Sequence, residues 1–471
     1  MFMKKIRIVL SLLIALSFCP AATAEDLLDI FQRALQQDPS LREAEANRLA
    51  TLESKPQALS AMLPQLTAGG SFGYAQADGT SVISQVITED ANGNPIPPTT
   101  VEIPNSFDQD STSLQWRVDL RQSVFKWDQW VALRRADKQV AQAEADYRAA
   151  EQDLMIRVVT SYFDVLAAQD TLESEQAAQS AIARQLEQAN KRFEVGLIAI
   201  TDVQEAQSGY DQAVAAEILA KRNLANRKES LREIIGELPA QLERPKVQIP
   251  LLSPQPAIED EWVATALTQN LNLLSSEIGA QITRDNVAFQ RTGHYPTLEI
   301  QGSYNGVDSE GDRINTRSGV STSSPTDNDR SGYDISLQLN FPIYSGGAVS
   351  SRTRQAVYEH RAARERFERM ARQTERETRD AYLGVVSEIA RVKALKQARA
   401  SARTALQATE AGFDVGTRTT VDVLEQRRQL FAADVNYARS RYDYIINVLK
   451  LKQAAGSLLA DDLVEVNGWL E

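Results

Sequence analysis

From residue 131 to residue 193 the chain has neither glycine nor proline, and a second proline-free run of similar length covers 349–411. Alanine, glutamine, glutamate, arginine and leucine fill both runs, and these are good helix formers. At 1.5 Å of rise per residue the first run would reach ~95 Å. Helices of that length are not ordinary globular elements; they form coiled coils or tubes. In the second run Tyr382, Val385, Ile389, Val392 and Leu395 recur at three- and four-residue spacing, the stripe of an amphipathic helix. Each run closes on nearly the same words. Around Phe193 the chain reads Phe-Glu-Val-Gly-Leu-Ile-Ala-Ile-Thr-Asp-Val, and around Phe413 it reads Phe-Asp-Val-Gly-Thr-Arg-Thr-Thr-Val-Asp-Val, with five of eleven positions identical. A shorter helical run follows each copy, at about 201–235 and 421–455. Such repetition predicts two similar halves, each carrying a helical hairpin with a tight tip, at 193–203 and 413–423.

Between the helical blocks the hydrophobic period changes from 3.6 to two. Leu66, Ala68, Gly70, Phe72 and Tyr74 alternate with polar or small residues, as do Leu114, Trp116, Val118 and Leu120. Leu298, Ile300, Gly302 and Tyr304 repeat the pattern, and so do Ile335, Leu337, Leu339 and Phe341. Four strands are therefore expected, at about 64–74, 114–122, 296–306 and 333–343. Each is long enough to cross a bilayer when tilted. Phe125, Trp127, Trp130 and Tyr344 at their ends suit an interfacial girdle. The connections 75–113 and 307–332, rich in Ser, Thr, Asp, Asn, Gly and Pro, are expected to be solvated surface loops beyond the membrane. The resulting organisation is a first repeat at 25–245, a linker at 246–260 punctuated by Pro250, Pro254 and Pro256, a second repeat at 261–455 and a tail at 456–471. Ala34-Leu35-Gln36-Gln37-Asp38 matches Ala266-Leu267-Thr268-Gln269-Asn270 at the corresponding place in the second repeat.

The N-terminus carries a basic start (Lys4, Lys5, Arg7), an apolar core and a small-residue site at Ala22-Thr23-Ala24, the pattern of a cleaved export signal over 1–24. Bulky Phe18 before Cys19 is a poor lipoprotein processing site. Cleavage after Ala24 would remove the only cysteine, so thiol chemistry and disulfides are not expected. His294 and His360 are far apart, with no metal-ligand spacing, and no nucleophile–base motif argues for an enzyme. A net charge of −12 argues against nucleic acid as a partner. No later stretch is apolar enough for a transmembrane helix, so a membrane crossing has to be made of strands. Four strands cannot close a barrel, because open edges in lipid leave backbone groups unpaired and the smallest barrels need about eight strands. Arg117, Asp119, Arg121 and Glu299 on the polar faces suit a water-filled lumen, which favours three chains and a larger barrel.

The tips carry local signals of their own. Gly196 and Gly416 read as helix C-caps that need positive φ. Thr201 with Gln204 reads as a capping box opening the next helix. Asp422 and Glu425, three apart, share one helix face, where acidic side chains also offset the helix dipole.

The stretch Val415-Gly416-Thr417-Arg418-Thr419-Thr420-Val421-Asp422-Val423-Leu424 closely resembles the tip motif of the TolC family of outer-membrane efflux channels, and Val195–Gln204 does too. Asn436–Leu449 continues the match, and the likeness covers the whole chain after the export segment. The resemblance implies a mainly α fold with a membrane β-barrel portion: two structural repeats of long coiled-coil helices plus four strands per chain. Three chains would form a 12-stranded β-barrel in the outer membrane of a Gram-negative bacterium and an α-helical tunnel into the periplasm. It further implies a passive exit duct for drugs or secreted proteins, without a cofactor, serving tripartite efflux or type I secretion. The partners would be a periplasmic adaptor and an inner-membrane pump of RND, ABC or MFS type. The gate positions that match are Thr201 and Asp202 on the first tip and Phe413 and Arg418 on the second, with Gln185 and Glu410 one layer up. Arg418 would reach the Thr201 region through a charge-assisted bond. The position of Phe413 is commonly a tyrosine whose hydroxyl meets the aspartate matching Asp202; phenylalanine has none, so this gate is expected to lean on Arg418 and packing. Rings of Asp422 and Glu425 would favour cations, with some of their pKa values raised by crowding. Grooves beside Gly196 and Gly416 would receive the adaptor. The rival reading is a structural or adhesive coiled-coil envelope protein with no pore.

Overall fold

A computed structural model of the chain describes residues 25–246 and 248–471. The expected export signal at 1–24 lies outside the described residues. Ten α-helices and four strands are seen among them. The first half comprises α1 (Leu27–Gln37), α2 (Pro39–Leu52), α3 (Ser54–Ser60), β1 (Gln65–Glu89), β2 (Pro95–Phe125), α4 (Trp127–Glu194) and α5 (Ile200–Ile235). The second comprises α6 (Glu259–Gln269), α7 (Leu271–Arg291), β3 (Thr297–Arg317), β4 (Val320–Asn340), α8 (Ala348–Asp414) and α9 (Thr420–Ala454), with α10 (Ala460–Asn467) after it. The long helices α4 and α8 have 68 and 67 residues. No helix among the described residues is long and apolar enough to cross a membrane. Two units separate, one containing Lys138–Gln281 and Arg361–Glu471 with the segment ending at Leu52, the other containing Glu53–Asp137 and Ile282–His360.

The repeat is visible in how each half opens. α1 stops where Asp38 precedes Pro39, a residue suited to the first position of a helix. The Asp38 carboxylate then caps α2 by accepting from the Leu41 N–H at 2.8 Å. In the second half Asn270 occupies the same place and accepts from the Leu273 N–H at 3.0 Å. The two caps diverge in their remaining bonds. Buried Asp38 is held by both Arg157 nitrogens at 2.8 and 3.1 Å, whereas Asn270 donates to the Ala454 carbonyl at 3.0 Å. Burial alone would lift the Asp38 pKa; the Arg157 bonds and the Leu41 N–H outweigh it and hold the carboxyl below its usual range.

The core of the helical unit gathers Leu27 and Ile30 of α1, Leu154, Val158, Tyr162, Phe163 and Leu166 of α4, Leu231 and Ile235 of α5, and Ile445 and Leu449 of α9. Val385, Ile389 and Val392 join it, so the predicted stripe of α8 is a packing face. Phe163 stacks on Tyr442 at 5.4 Å between ring centroids. Residues 456–471, read from the sequence as a tail, fold back: Leu463, Val466 and Leu470 are buried in this core. Asn467 there receives the Leu27 N–H at 3.0 Å and donates to Asp26 at 2.8 Å, tying α10 to the start of α1.

In the other unit β1–β2–β3–β4 form one antiparallel sheet in that order. The strands are much longer than expected. The segments 75–113 and 307–332, read as loops, are mostly strand, and the turns shrink to the few residues between Glu89 and Pro95 and between Arg317 and Val320. Their Ser, Thr and Asp content suits solvent, but continuous pairing such as Asp78 with Asp108 and Gly311 with Thr326 satisfies their backbone groups in a ladder. Tertiary pairing overrides local propensity here. One face of the near half carries Leu66, Val118, Leu120, Tyr304, Tyr333 and Ile335, and the other carries Thr67, Arg117, Asp119, Ser303 and Asp334. β1 and β4 lie at the sheet's two edges and are almost wholly exposed.

Candidate functional site: the paired helix tips

Both tips end their long helix in the same way. Gly196 and Gly416 adopt φ of +75° and +81°, the left-handed conformation that favours glycine. At the first tip the Leu197 N–H donates to the Arg192 carbonyl and the Gly196 N–H to that of Phe193, both at 2.8 Å. At the second the Thr417 N–H reaches the Gly412 carbonyl at 2.8 Å and the Gly416 N–H that of Phe413 at 3.1 Å. These paired bonds make a complete Schellman motif at each tip.

The return helices open differently. Thr419 caps α9, its hydroxyl accepting from the Asp422 N–H at 3.2 Å, while Asp422 accepts from the Thr419 N–H at 2.9 Å. This reciprocal capping box is built from the two residues that the repeat pairs with Ala199 and Asp202. At the first tip Ala199 is the N-cap and offers no hydroxyl, so only Asp202 contributes, accepting the Ala199 N–H at 3.3 Å. The expected Thr201–Gln204 box is therefore wrong by two residues: Thr201 stands inside the first turn and is exposed.

The carboxylates expected to line the opening have defined partners within the chain. The Asp422 pKa is lowered, first by the Thr419 N–H, then by the Thr419 hydroxyl and by nearby Arg418. Glu425 is exposed and accepts from Gln429 at 3.1 Å. Arg418 is exposed and has no ion-pair partner among the described residues. Its stem lies against α8 where Gly412 has no side chain: a Cβ there would come within 2.8 Å of the Arg418 Cγ.

The structure adds two arginines that sequence reasoning passed over. Arg192, in the last turn of α4, lies over the Phe413 ring at 4.6 Å from its centroid. The ring that lacks a hydroxyl thus takes a cation on its face and joins the two tips of one protomer. Two turns into α9, Arg427 bonds Glu410 of α8 at 2.8 Å and the Ala181 carbonyl of α4 at 3.3 Å. Glu410 is consequently held by Arg427, and no hydrogen bond joins it to Gln185, which is buried on α4. Internal comparison offered a clue to the first: Arg192 precedes Phe193 as Gly412 precedes Phe413, so the repeat differs beside the ring. Below this layer Leu424, Ile182 and Ala213 pack α9, α4 and α5 together. Val195, Leu197 and Val415 project from the tips, each more than two-thirds exposed at 69, 72 and 75 %. Among the described residues no cluster of three or more His, Cys, Asp or Glu is placed to hold a metal ion.

Long paired helices, twin tips and a sheet with one apolar face define an outer-membrane channel protein. The chain belongs to the outer membrane efflux protein family, whose model matches residues 30–237 and 262–457, one span in each repeat. It is 35% identical to outer membrane protein TolC of Vibrio cholerae over 96% of this chain and 95% of the relative. It is 27% identical to the alkaline protease secretion protein AprF of Pseudomonas aeruginosa over 94% of this chain and 86% of that one. The crystal structure of the Campylobacter jejuni CmeC outer membrane channel shares its fold, with a TM-score of 0.71 at 15% identity over 97% of this chain and 94% of that one. The protein is thus a mainly helical efflux channel of the outer membrane, with four strands per chain.

Proposed function

We propose that three copies associate through β1 and β4 to close a 12-stranded barrel, and that their paired helices form the tunnel leading to it. The observation that carries this reading is the sheet's two long exposed edges. Edge strands of 25 and 21 residues cannot lie in lipid with their backbone groups unpaired. A neighbouring copy supplies the missing partner at both edges at once, as closed rotational symmetry requires. The assembled protein is a passive exit duct that an inner-membrane pump or transporter energises through a periplasmic adaptor. The exposed Val195, Leu197 and Val415 give that adaptor an apolar surface at the tips. Similarity to a protease secretion protein supports protein export beside small-molecule efflux.

The tips form the gate. Arg418, without an ion-pair partner among the described residues, reaches the Thr201–Asp202 region of a neighbouring protomer, and Asp422 and Glu425 line the opening with carboxylates. Planar-bilayer recording tests this. Wild type should be almost closed and Arg418→Ser should conduct several-fold more, whereas equal conductance would sink the gate assignment. Heat-labile trimers in detergent extracts of outer membranes are expected; a soluble monomer would refute the assembly.

A further inference from the structure

The far half of the sheet separates its charges by face. The antiparallel register runs unbroken from Gln65–Arg121 to Ile87–Thr99, so alternation assigns every side chain there to one of two faces. The face continuing from Leu66, Val118 and Ile335 becomes acidic beyond Phe72 and Leu114: Asp108, Asp110, Asp308, Glu310, Asp327 and Asp329 all lie on it. The opposite face, continuing from Thr67, Asp119 and Ser303, carries Arg313, Arg317 and Arg330 instead. Side-chain contacts agree with that assignment. Arg313 lies over the Phe107 ring at 4.7 Å and Arg317 donates to Gln85, both partners on the same face, while Tyr74 donates to Asp110 at 3.2 Å on the acidic one. None of the three arginines forms a salt bridge among the described residues. Nearer the helices, by contrast, Arg117 is paired with Asp119 at 2.7 Å and Lys126 with Glu299.

Length places this half outside the bilayer. At ~3.3 Å per residue the 25 residues of β1 span about 80 Å, against a hydrocarbon core of about 30 Å. The apolar band ends near Phe72, so the arginines stand beyond it, at the mouth. Because the apolar face meets lipid, the arginine face meets the lumen. The carboxylates point the opposite way, with a guanidinium and a carboxylate separated by the sheet and both side-chain reaches, about 10 Å. That equals or exceeds the Debye length of about 8 Å at physiological salt, so the near field inside the mouth is set by the arginines.

We propose that the distal lumen is a site for phosphate-class polyanions, lined by Arg313, Arg317 and Arg330 of each protomer. The site rests on the barrel reading above. Guanidinium groups bind phosphate oxygens through paired charge-assisted bonds, and three per chain make nine in the mouth, in three successive levels at Val307 (which pairs with Arg330), Arg313 and Arg317 of β3. The duct then has opposite ends: carboxylates at the tips and arginines at the exit. Anionic groups reaching the outer end are drawn through it, and soluble polyanions outside can enter and obstruct it.

Inorganic tripolyphosphate is the probe, added to either chamber of a planar bilayer at about 0.15 M KCl. It should block current from the mouth side, and weakly or not at all from the tip side. Replacing the three residues together (Arg313→Ser, Arg317→Ser, Arg330→Ser) should raise the half-blocking concentration about tenfold. The matching lysine triple variant should stay within about threefold of wild type, because the charge persists. An unchanged half-blocking concentration in the serine variant, with current intact, would overturn the site while leaving the duct standing. Block of equal strength from both sides would overturn it too. Absence of current in wild type and every variant would overturn the duct itself and the site with it.

Discussion

The contact between Arg192 and Phe413 makes a quantitative claim on gating. Both side chains are half-buried, and the guanidinium lies 4.6 Å from the ring centroid. A cation over an aromatic face contributes about 0.5–1 kcal/mol when exposed and about 2 when desolvated, so about 1 kcal/mol per protomer is appropriate here. If three protomers open together, losing the contact shifts the closed–open equilibrium by about 3 kcal/mol, or ~150-fold. Arg192→Gln keeps the stem and removes the charge; Phe413→Leu keeps bulk and removes the quadrupole. Each alone should raise open probability in single-channel recordings, and the double variant should do little more than either. A double-mutant cycle isolates the pair, with a coupling of about 1 kcal/mol per protomer. Additive effects, or a change below threefold in Arg192→Gln, would refute the assignment of this contact to the closed state.

Other outcomes follow from the same geometry. At Gly416 a Cβ would meet nothing within 4 Å, so Gly416→Ala is purely a conformational penalty of about 1 kcal/mol at a φ of +81°; faster amide exchange at 412–418 is the expected readout. Leu449 is 1 % exposed, and Leu449→Ala should cost about 2–5 kcal/mol in urea unfolding of the detergent-solubilised protein. The Asp422 pKa is depressed, so its capping contribution is complete above the unfolded value near about 4 and is lost only as pH falls through the lower folded value. Cation selectivity carried by Asp422 should therefore be level between about pH 7 and 5; a decline across that range would contradict the capping geometry. Asp170 behaves in the opposite sense. Burial raises its pKa despite the Tyr442 hydroxyl donating at 2.5 Å, so its ionisation removes stability as pH rises from about 4 through the raised folded value. Asp170→Asn should flatten that slope in pH-dependent unfolding.

Much of the helical framework was legible because its signals are local and repeated. Runs free of proline, glycines beyond their ends and a stripe at Val385, Ile389 and Val392 each depend on residues within a few turns. Reading the strands succeeded only where one face was apolar. Beyond Phe72 and Leu114 both faces are polar, alternation gives no contrast, and a strand spells the same as a loop. The capping box was misplaced at the first tip because Thr201 has the right side chain at the wrong turn position. Applying the repeat strictly would have matched Thr419 with Ala199.

The sequence by itself determined two hairpins of matched length, glycine-capped tips and a strand segment with a lipid-compatible face. It also carried the tip motif that the outer membrane efflux family shares. Tertiary structure alone decided which partner each arginine meets: Arg192 the Phe413 ring, Arg427 Glu410, Arg157 Asp38. Those pairs lie 221, 17 and 119 residues apart in the chain. Helical structure is set by neighbours a few residues away, whereas a pairing between distant side chains depends on the register in which whole helices pack. That register is fixed by burial summed over many core residues, and no single motif spells it.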